Sequence, residues 1–186
     1  IYHNYDSNFK FISSNTFKDE RGFLFESYKR EQIMLKFGYH FEFIQENFVS
    51  SKKDVFRGLH YQEEPFAQSK LLMVLKGEIV DIILDLRKNS KTFLKWEAVV
   101  VSEKDRKLIC IPKGFAHGYL VLSNKSEIIY KLDNKYSQDH ERFINIKNDK
   151  IKPNIYETLK KEFKFNKLVL SNKDKSSLDS FENLIN

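Results

Sequence analysis

Between Phe41 and Ile146 the chain is a succession of short runs rich in valine, isoleucine, leucine, phenylalanine and tyrosine. Each run is closed by residues that favour turns, as in FLKWEAVVV, RKLICIP, GYLVLS and SEIIYKLD with the connectors SEKD and SNK. Strands of this length at this spacing are typical of a β sandwich or barrel. The pattern therefore predicts that the middle of the protein is built from antiparallel strands.

One segment has the pattern of a β-hairpin. LLMVLKGEIVDIILDLR offers an apolar strand at Leu71–Leu75, a turn at Lys76 and Gly77, and a second strand at Ile79–Leu86. The following RKNSKT is rich in turn formers. We therefore expect the two strands to pair directly with each other.

Helical patterns occur only near the two ends. SYKREQIMLKFG has apolar residues three and four apart and closes on Gly38, and SSLDSFENLIN resembles a capped C-terminal helix. Central strands with short peripheral helices predict an all-β jelly roll with a central cavity. We interpret residues 1–186 as one such domain.

The composition of the chain limits the kinds of binding partner and the cellular compartments that we expect for the protein. The net charge is +6, but the lysines are spread along the chain, whereas nucleic-acid binders concentrate them on one face, so a small anionic ligand is favoured over nucleic acid. Cys110 is the single cysteine, which excludes an internal disulfide and favours a reducing, cytoplasmic location. We expect neither secretion nor a membrane span, because no signal-like start and no apolar run of about 18 residues occurs.

Six polar or charged residues interrupt the apolar strand runs. Alone, each would be an ordinary solvent-facing position of a strand, but a closed double sheet brings inward positions of several strands together. They therefore predict a polar site inside the jelly roll. The six are Arg57, His60, Lys70, Asp81, His117 and Tyr130.

These residues suit proton transfer better than metal binding. His60 and His117 occur singly, and the chain has no H-x-H pair of the kind that metal-binding jelly rolls use. An imidazole can remove a proton near neutral pH, a lysine can stabilise the oxyanion that forms, and a tyrosine can return a proton. The combination therefore predicts proton abstraction beside a carbonyl group, carried out by His60, Lys70 and Tyr130.

Several motifs in one order resemble the dTDP-4-dehydrorhamnose 3,5-epimerase family of deoxysugar biosynthesis. They are FRGLHYQ, QSKLLMVLKGEIVDIILDLRKNSKTFLKW, IPKGFAHGYLVLS, YKLDNKY and HER. The resemblance covers roughly Phe17 to Glu141, and LSNKD at Leu170–Asp174 adds a weaker similarity. It implies a cupin-like jelly-roll homodimer (a double-stranded β-helix) that needs no metal or other cofactor and acts on a nucleotide-linked 4-keto-6-deoxysugar.

The resemblance also implies roles for individual residues. His60 corresponds to the base, paired with Asp174; Lys70 stabilises the enolate, and Tyr130 acts as the acid on the opposite face of the sugar. Arg57, His117 and Lys173 correspond to substrate contacts, with Asp81 supporting the histidines. Contacts to the nucleotide, some from the second chain, are expected at Arg21, Glu26, Gln45, Glu46, Asn47, Tyr136 and Glu141.

The chain departs from the family pattern at three places. Leu24 stands where the family has an aromatic residue, KIKPNIYE lacks the usual tryptophan–proline pair, and Lys152–Val169 is long and rich in lysine.

Four alternatives to a 3,5-epimerase of a dTDP-linked sugar stay open. They are an epimerase that inverts only C3 or only C5, an enzyme for another nucleotide-linked sugar such as a GDP-linked one, a non-catalytic sugar-binding cupin, and a metal-dependent cupin.

Overall fold

The computed structural model describes residues 10–13, 15–37, 41–177 and 179–185, and strands dominate it. In chain order these are β1 (Lys10–Ser13), β2 (Thr16–Asp19), β3 (Gly22–Phe25), β4 (Gln45–Lys52), β5 (Phe56–Gln62), β6 (Lys70–Lys76), β7 (Glu78–Asp85), β8 (Trp96–Ser102), β9 (Lys107–Ile111), β10 (Phe115–Val121), β11 (Lys125–Leu132) and β12 (Glu141–Phe143). One antiparallel sheet has the order β1-β9-β6-β11-β4, and a second has the order β12-β5-β10-β7-β8. The predicted antiparallel double sheet is confirmed.

The two sheets bury their inner faces against each other. The cluster between them contains Leu72 and Ile128 from the first sheet with Ile83, Phe115 and Val121 from the second. Strands such as β7 are buried along almost their whole length because helices and loops also cover the outer faces of the sheets. Their sequences are accordingly apolar on both faces instead of alternating.

The predicted hairpin is wrong. Strand β6 pairs with β9 and β11, whereas β7 pairs with β10 and β8, so the two consecutive strands belong to different sheets. Gly77 connects them with φ +80°, and a Cβ atom there would lie 2.2 Å from the carbonyl oxygen of Lys125. A hairpin and a crossing between sheets have the same pattern of two apolar runs about a glycine, and only pairing with distant strands distinguishes them.

The RKNSKT segment forms the predicted turn, organised around the carboxylate of Asp85. Although burial raises the pKa of Asp85, hydrogen bonds from Arg87, Ser90 and Thr92 outweigh it and lower this pKa to about 2. The Arg87 guanidinium also lies 4.4 Å from the centre of the Phe115 ring, at the start of β10. The turn thus fixes the strand that carries His117.

Four α-helices lie at the periphery of the described chain, namely α1 (Arg30–Phe37), α2 (Ile155–Phe163), α3 (Asn172–Ser176) and α4 (Phe181–Ile185), and a short 3₁₀ helix spans Gln138–His140. Helices α1 and α4 confirm the helices predicted near the two ends of the chain. Gly38 of the first predicted segment, and Leu178 and Asn186 of the second, lie outside the described residues. No helix of the described ranges is long and apolar enough to cross a membrane.

Helices α2 and α3 were not predicted from the sequence. The Asn154 side chain accepts a hydrogen bond from the backbone N–H of Glu157 at the start of α2, and Lys164 ends that helix with φ 50°. Leu159 is fully buried against the outer face of the second sheet, while lysines occupy the exposed side. The segment is a short amphipathic helix, which was not predicted because its sequence is rich in lysine.

Candidate active site

A cavity of about 240 Å³ opens between the two sheets and is closed at one side by the segment leading into α3. Strands from both sheets contribute to it because their inward positions converge on one interior. Its lining residues are Val49, Arg57, His60, Lys70, Leu72, His117, Gly118, Tyr119, Tyr130, Ser171, Lys173 and Asp174.

Sheet register determines where the polar side chains meet. His60 on β5 lies opposite His117 on β10 in the second sheet. Tyr130 on β11 lies opposite Leu72 in the first sheet, and Lys70 begins β6 two residues earlier. The candidate base, cation and acid therefore reach the cavity from three strands in two facing sheets.

His60 and Asp174 form a hydrogen-bonded pair, with 2.8 Å between Nε2 of the imidazole and Oδ1 of the carboxylate. The Ser171 hydroxyl accepts a hydrogen bond from the Asp174 backbone N–H at 3.0 Å and caps α3, which fixes the carboxylate. Burial raises the pKa of Asp174, but interaction with His60 and Ser171 lowers it by more, so the carboxylate is ionised near neutral pH. When Nε2 donates to this carboxylate, Nδ1 is the basic nitrogen of His60.

A second pair, His117 and Asp81, lies deeper between the strands. The His117 Nε2 atom is 2.7 Å from Asp81 Oδ1, and both side chains are buried. Asp81 therefore contacts His117, whereas Asp174 contacts His60. The structure thus places Asp81 against His117, and its supporting role stays a prediction.

Lys70 places a cation in the wall of the cavity, where its side chain is half-buried. Burial lowers the pKa of Lys70 to about 8, even though the negative charges of Asp81 and Glu141 act in the opposite direction. The ammonium group consequently titrates close to the physiological range. A cation held inside a cavity, where water screens its charge less than in bulk solution, is well suited to stabilise an oxyanion.

Three predicted substrate contacts meet at the rim of the cavity. The Tyr136 hydroxyl donates to Glu141 at 2.9 Å, and the Lys173 ammonium donates to Glu141 and to the Tyr136 hydroxyl. Burial lowers the pKa of Lys173, but these two partners raise it by more. Lys173 and Glu141 also line an adjoining cavity together with His60, so this cluster lies beside the candidate base.

The sequence of this chain matches one protein family over nearly its whole length. A sequence model described as dTDP-4-dehydrorhamnose 3,5-epimerase matches residues 7–182. The chain belongs to this epimerase family. A dTDP-4-dehydrorhamnose 3,5-epimerase of Shigella flexneri is 47% identical over 128 residues, which are 69% of this chain and 71% of the relative. One of Salmonella typhimurium is 42% identical over 130 residues, 70% of this chain and 71% of the relative.

Solved structures of epimerases share the fold. A Legionella pneumophila epimerase in complex with dTDP-4-keto-L-rhamnose has a TM-score of 0.84 and 34% identity, covering 98% of this chain and 92% of that protein. A Bacillus anthracis epimerase with TDP and PPi bound has a TM-score of 0.82 and 32% identity, covering 94% of this chain and 97% of that protein. The predicted cupin-like jelly roll and epimerase family are confirmed.

Other predicted nucleotide contacts of this epimerase lie outside the cavity. Arg21 and Glu26 belong to the β2–β3 hairpin and its exit, where Arg21 is bonded to Asp19 and Glu26 lies 3.5 Å from Lys29. The Arg21 side chain is 90% exposed. Within one protomer the structure does not bring these two residues to His60.

The three predicted contacts at the start of β4 are closer to the site but do not line it. Gln45 donates a hydrogen bond to the Asn47 side chain at 3.0 Å, and Glu46 forms an ion pair with Lys131. Asn47 lies opposite Tyr130 in the register of β4 and β11. These residues thus lie on the edge strand of the first sheet, beside the strand that carries Tyr130.

Sequence reasoning missed other residues in and around the cavity, among them Ser51, Tyr119 and Ser171. Ser51 accepts a hydrogen bond from Arg57 Nε at 3.1 Å, and Tyr119 lies two residues after His117 on the same face of β10. The two-residue period of a strand could have identified Tyr119. The spacing S-x-x-D could have identified Ser171 as the cap that holds Asp174.

No group of three or more His, Cys, Asp or Glu side chains in the described part of the chain is arranged to hold a metal ion. His60 and His117 each have a carboxylate partner, at 2.8 and 2.7 Å. A metal assay on the purified protein remains the test of the metal-dependent alternative.

Proposed function

We propose that this protein is a dTDP-4-dehydrorhamnose 3,5-epimerase that uses His60 as its base. The observation that carries the proposal is the hydrogen-bonded pair of His60 and Asp174 in one cavity with Lys70 and Tyr130. Family membership and the sugar nucleotide bound by the Legionella relative support dTDP-4-dehydro-6-deoxyglucose as the substrate.

The chemistry follows from the C4 ketone of this sugar. His60 removes the proton from C3 or C5, and the electrons of the broken C–H bond move into the carbonyl, forming an enolate. The Lys70 ammonium stabilises the oxygen of the enolate, and Tyr130 donates a proton to the opposite face of the same carbon. Each inversion replaces one C–H bond by another without net oxidation, so the reaction requires no redox cofactor.

We further propose a cytoplasmic homodimer in which each chain, folded as one domain, completes its partner's nucleotide site. Arg21 and Glu26 lie far out on an exposed hairpin, which supports contact with a second copy. Glu26 could then accept the imide N–H of thymine, and Tyr136, half exposed at the rim, could stack on the base.

Deuterium exchange tests the proposed reaction directly. Incubation of dTDP-4-keto-6-deoxyglucose with the protein in deuterium oxide should replace the protons at both C3 and C5, as followed by proton NMR. Exchange at one carbon alone would identify a mono-epimerase. No exchange would contradict the proposal and direct attention to GDP-linked 4-keto sugars or a non-catalytic binding role.

Tyr130→Phe should separate proton removal from inversion. The variant retains His60 and Lys70, so we expect exchange of the sugar protons to continue, with recovery of the inverted product reduced about 100-fold because the acid is missing. Exchange and epimer formation are measured in the same NMR samples. Normal inversion by Tyr130→Phe would show that another group supplies the proton.

A further inference from the structure

Tyr119 is a lining residue of the cavity that the proposed mechanism does not use. Its side chain is 4% exposed, and no other group in the described ranges forms a hydrogen bond of normal geometry with its hydroxyl. Leaving a buried hydroxyl without a partner is unfavourable, and such groups in proteins are uncommon. The position of this one, in the wall of a substrate cavity, requires an explanation.

The surroundings of Tyr119 are polar. In the register of the second sheet it lies opposite Arg57 on β5 and Asp81 on β7. The Arg57 side chain is in turn anchored by its hydrogen bond to Ser51. The Ser51 hydroxyl interacts with the Tyr119 hydroxyl outside normal hydrogen-bond geometry, and this interaction and the charge of Arg57 both lower the pKa of Tyr119. Burial raises this pKa by more, so the phenol keeps its proton. It can therefore both donate and accept a hydrogen bond.

We propose that Tyr119 is a specificity-determining residue whose hydroxyl forms a hydrogen bond with a ring hydroxyl of the bound hexose, at C2 or C3. This inference rests on the proposed epimerase function. In the proposed substrate C1 carries the diphosphate, C4 the ketone and C6 a methyl group, which leaves C2 and C3 as the carbons with hydroxyl groups. A sugar hydroxyl donates and accepts, and so matches a protonated phenol.

The consequence is selection against sugars that lack the hydroxyl. A site that supplies a buried hydrogen-bonding group rejects an analogue without its partner, because the group then remains unpaired in the complex. Tyr119 would thus restrict the enzyme to fully hydroxylated 4-keto-6-deoxyhexoses over their deoxy counterparts.

The test is Tyr119→Phe with three substrates: dTDP-4-keto-6-deoxyglucose and its 2-deoxy and 3-deoxy analogues. Deuterium exchange at C5, which all three can undergo, gives kcat/KM in each case. We expect the substitution to lower kcat/KM about tenfold for the full substrate and less than about twofold for the analogue that lacks the partner hydroxyl. The insensitive analogue identifies the hydroxyl as that of C2 or C3. An equal loss with all three substrates, or no loss with any, would overturn the inference.

Tyr61→Phe is the matched control. The Tyr61 hydroxyl is also buried without a hydrogen-bond partner in the described structure, but Tyr61 packs on the other side of β5 and does not line the cavity. This variant should retain kcat/KM for every substrate.

Thermal unfolding distinguishes recognition from structural support. Removing an unpartnered hydroxyl should leave the Tm of Tyr119→Phe unchanged or about 2–4 °C higher. A Tm lowered by more than about 5 °C would assign the hydroxyl to folding and overturn the inference. If the wild-type protein exchanges no deuterium, the proposed function fails; if it does and Tyr119→Phe matches it on the full substrate, the specificity role alone fails.

Discussion

His60→Ala is expected to abolish deuterium exchange at both C3 and C5 of dTDP-4-keto-6-deoxyglucose. A positioned general base contributes about 10²- to 10⁴-fold to a rate, and one base serving both carbons would affect both exchanges together. The imidazole is held by Asp174 at 2.8 Å, and no second histidine lies on that carboxylate in the described structure. The rate of exchange at both carbons, followed by proton NMR, should therefore fall by at least about 10²-fold.

Binding and folding controls make this result specific. The affinity of His60→Ala for dTDP should remain within about threefold of wild type, since the imidazole is assigned to proton transfer at the sugar. His140→Ala provides a histidine control, because His140 contacts Ser137 and Phe66 away from the main cavity. Exchange at the wild-type rate in His60→Ala would refute the assignment of the base.

Sequence patterns were informative where a polar residue interrupted a largely apolar strand run. His60, Lys70 and Tyr130 stand among apolar neighbours, and a charge or imidazole there must either meet a partner or line a cavity. The structure places all three in one cavity. The strand pattern drew attention to these positions as a set, and the family resemblance supplied most of the argument for their roles.

Asp174, the partner of the proposed base His60, could be identified only through the family resemblance. Asp174 lies 114 residues beyond His60, on a five-residue helix with no strong periodicity. Residues so far apart come together through the path of the chain across the second sheet, which local patterns do not encode. Local patterns also do not encode which strands pair with each other. For this reason the hairpin at Gly77 was predicted wrongly, although both of its strands exist.

The exposed residues predicted to contact the nucleotide show a second limit of prediction from sequence. Arg21 and Glu26 were assigned to nucleotide binding through the resemblance, and in a single chain their partners are Asp19 and Lys29. Surface charges form such local pairs at small energetic gain, so the pairs do not argue against a role in a dimer. Their position relative to His60 depends on a second chain, which the pattern of one chain cannot specify.

Lys70→Met is expected to lower kcat for exchange by about 10²- to 10³-fold while dTDP still binds. The substitution keeps an unbranched side chain of similar length in the cavity but removes the cation that is proposed to stabilise the enolate oxygen. Loss of one such electrostatic group typically has an effect of this size on the chemical step. Exchange rates at saturating substrate, together with dTDP titration, separate the loss of chemistry from a loss of binding.

The pH dependence of the wild-type enzyme gives an independent test of the same residue. Since burial lowers the pKa of Lys70 to about 8, the ammonium form predominates below that pH and is lost as the pH rises through it. If only the ammonium form stabilises the enolate, kcat/KM should decline above about pH 8, approaching tenfold for each further pH unit. In Lys70→Arg the guanidinium remains charged to far higher pH, so whatever activity the variant retains should lack this alkaline decline. An identical decline in wild type and Lys70→Arg would assign it to another group and remove the link between the buried ammonium and the enolate.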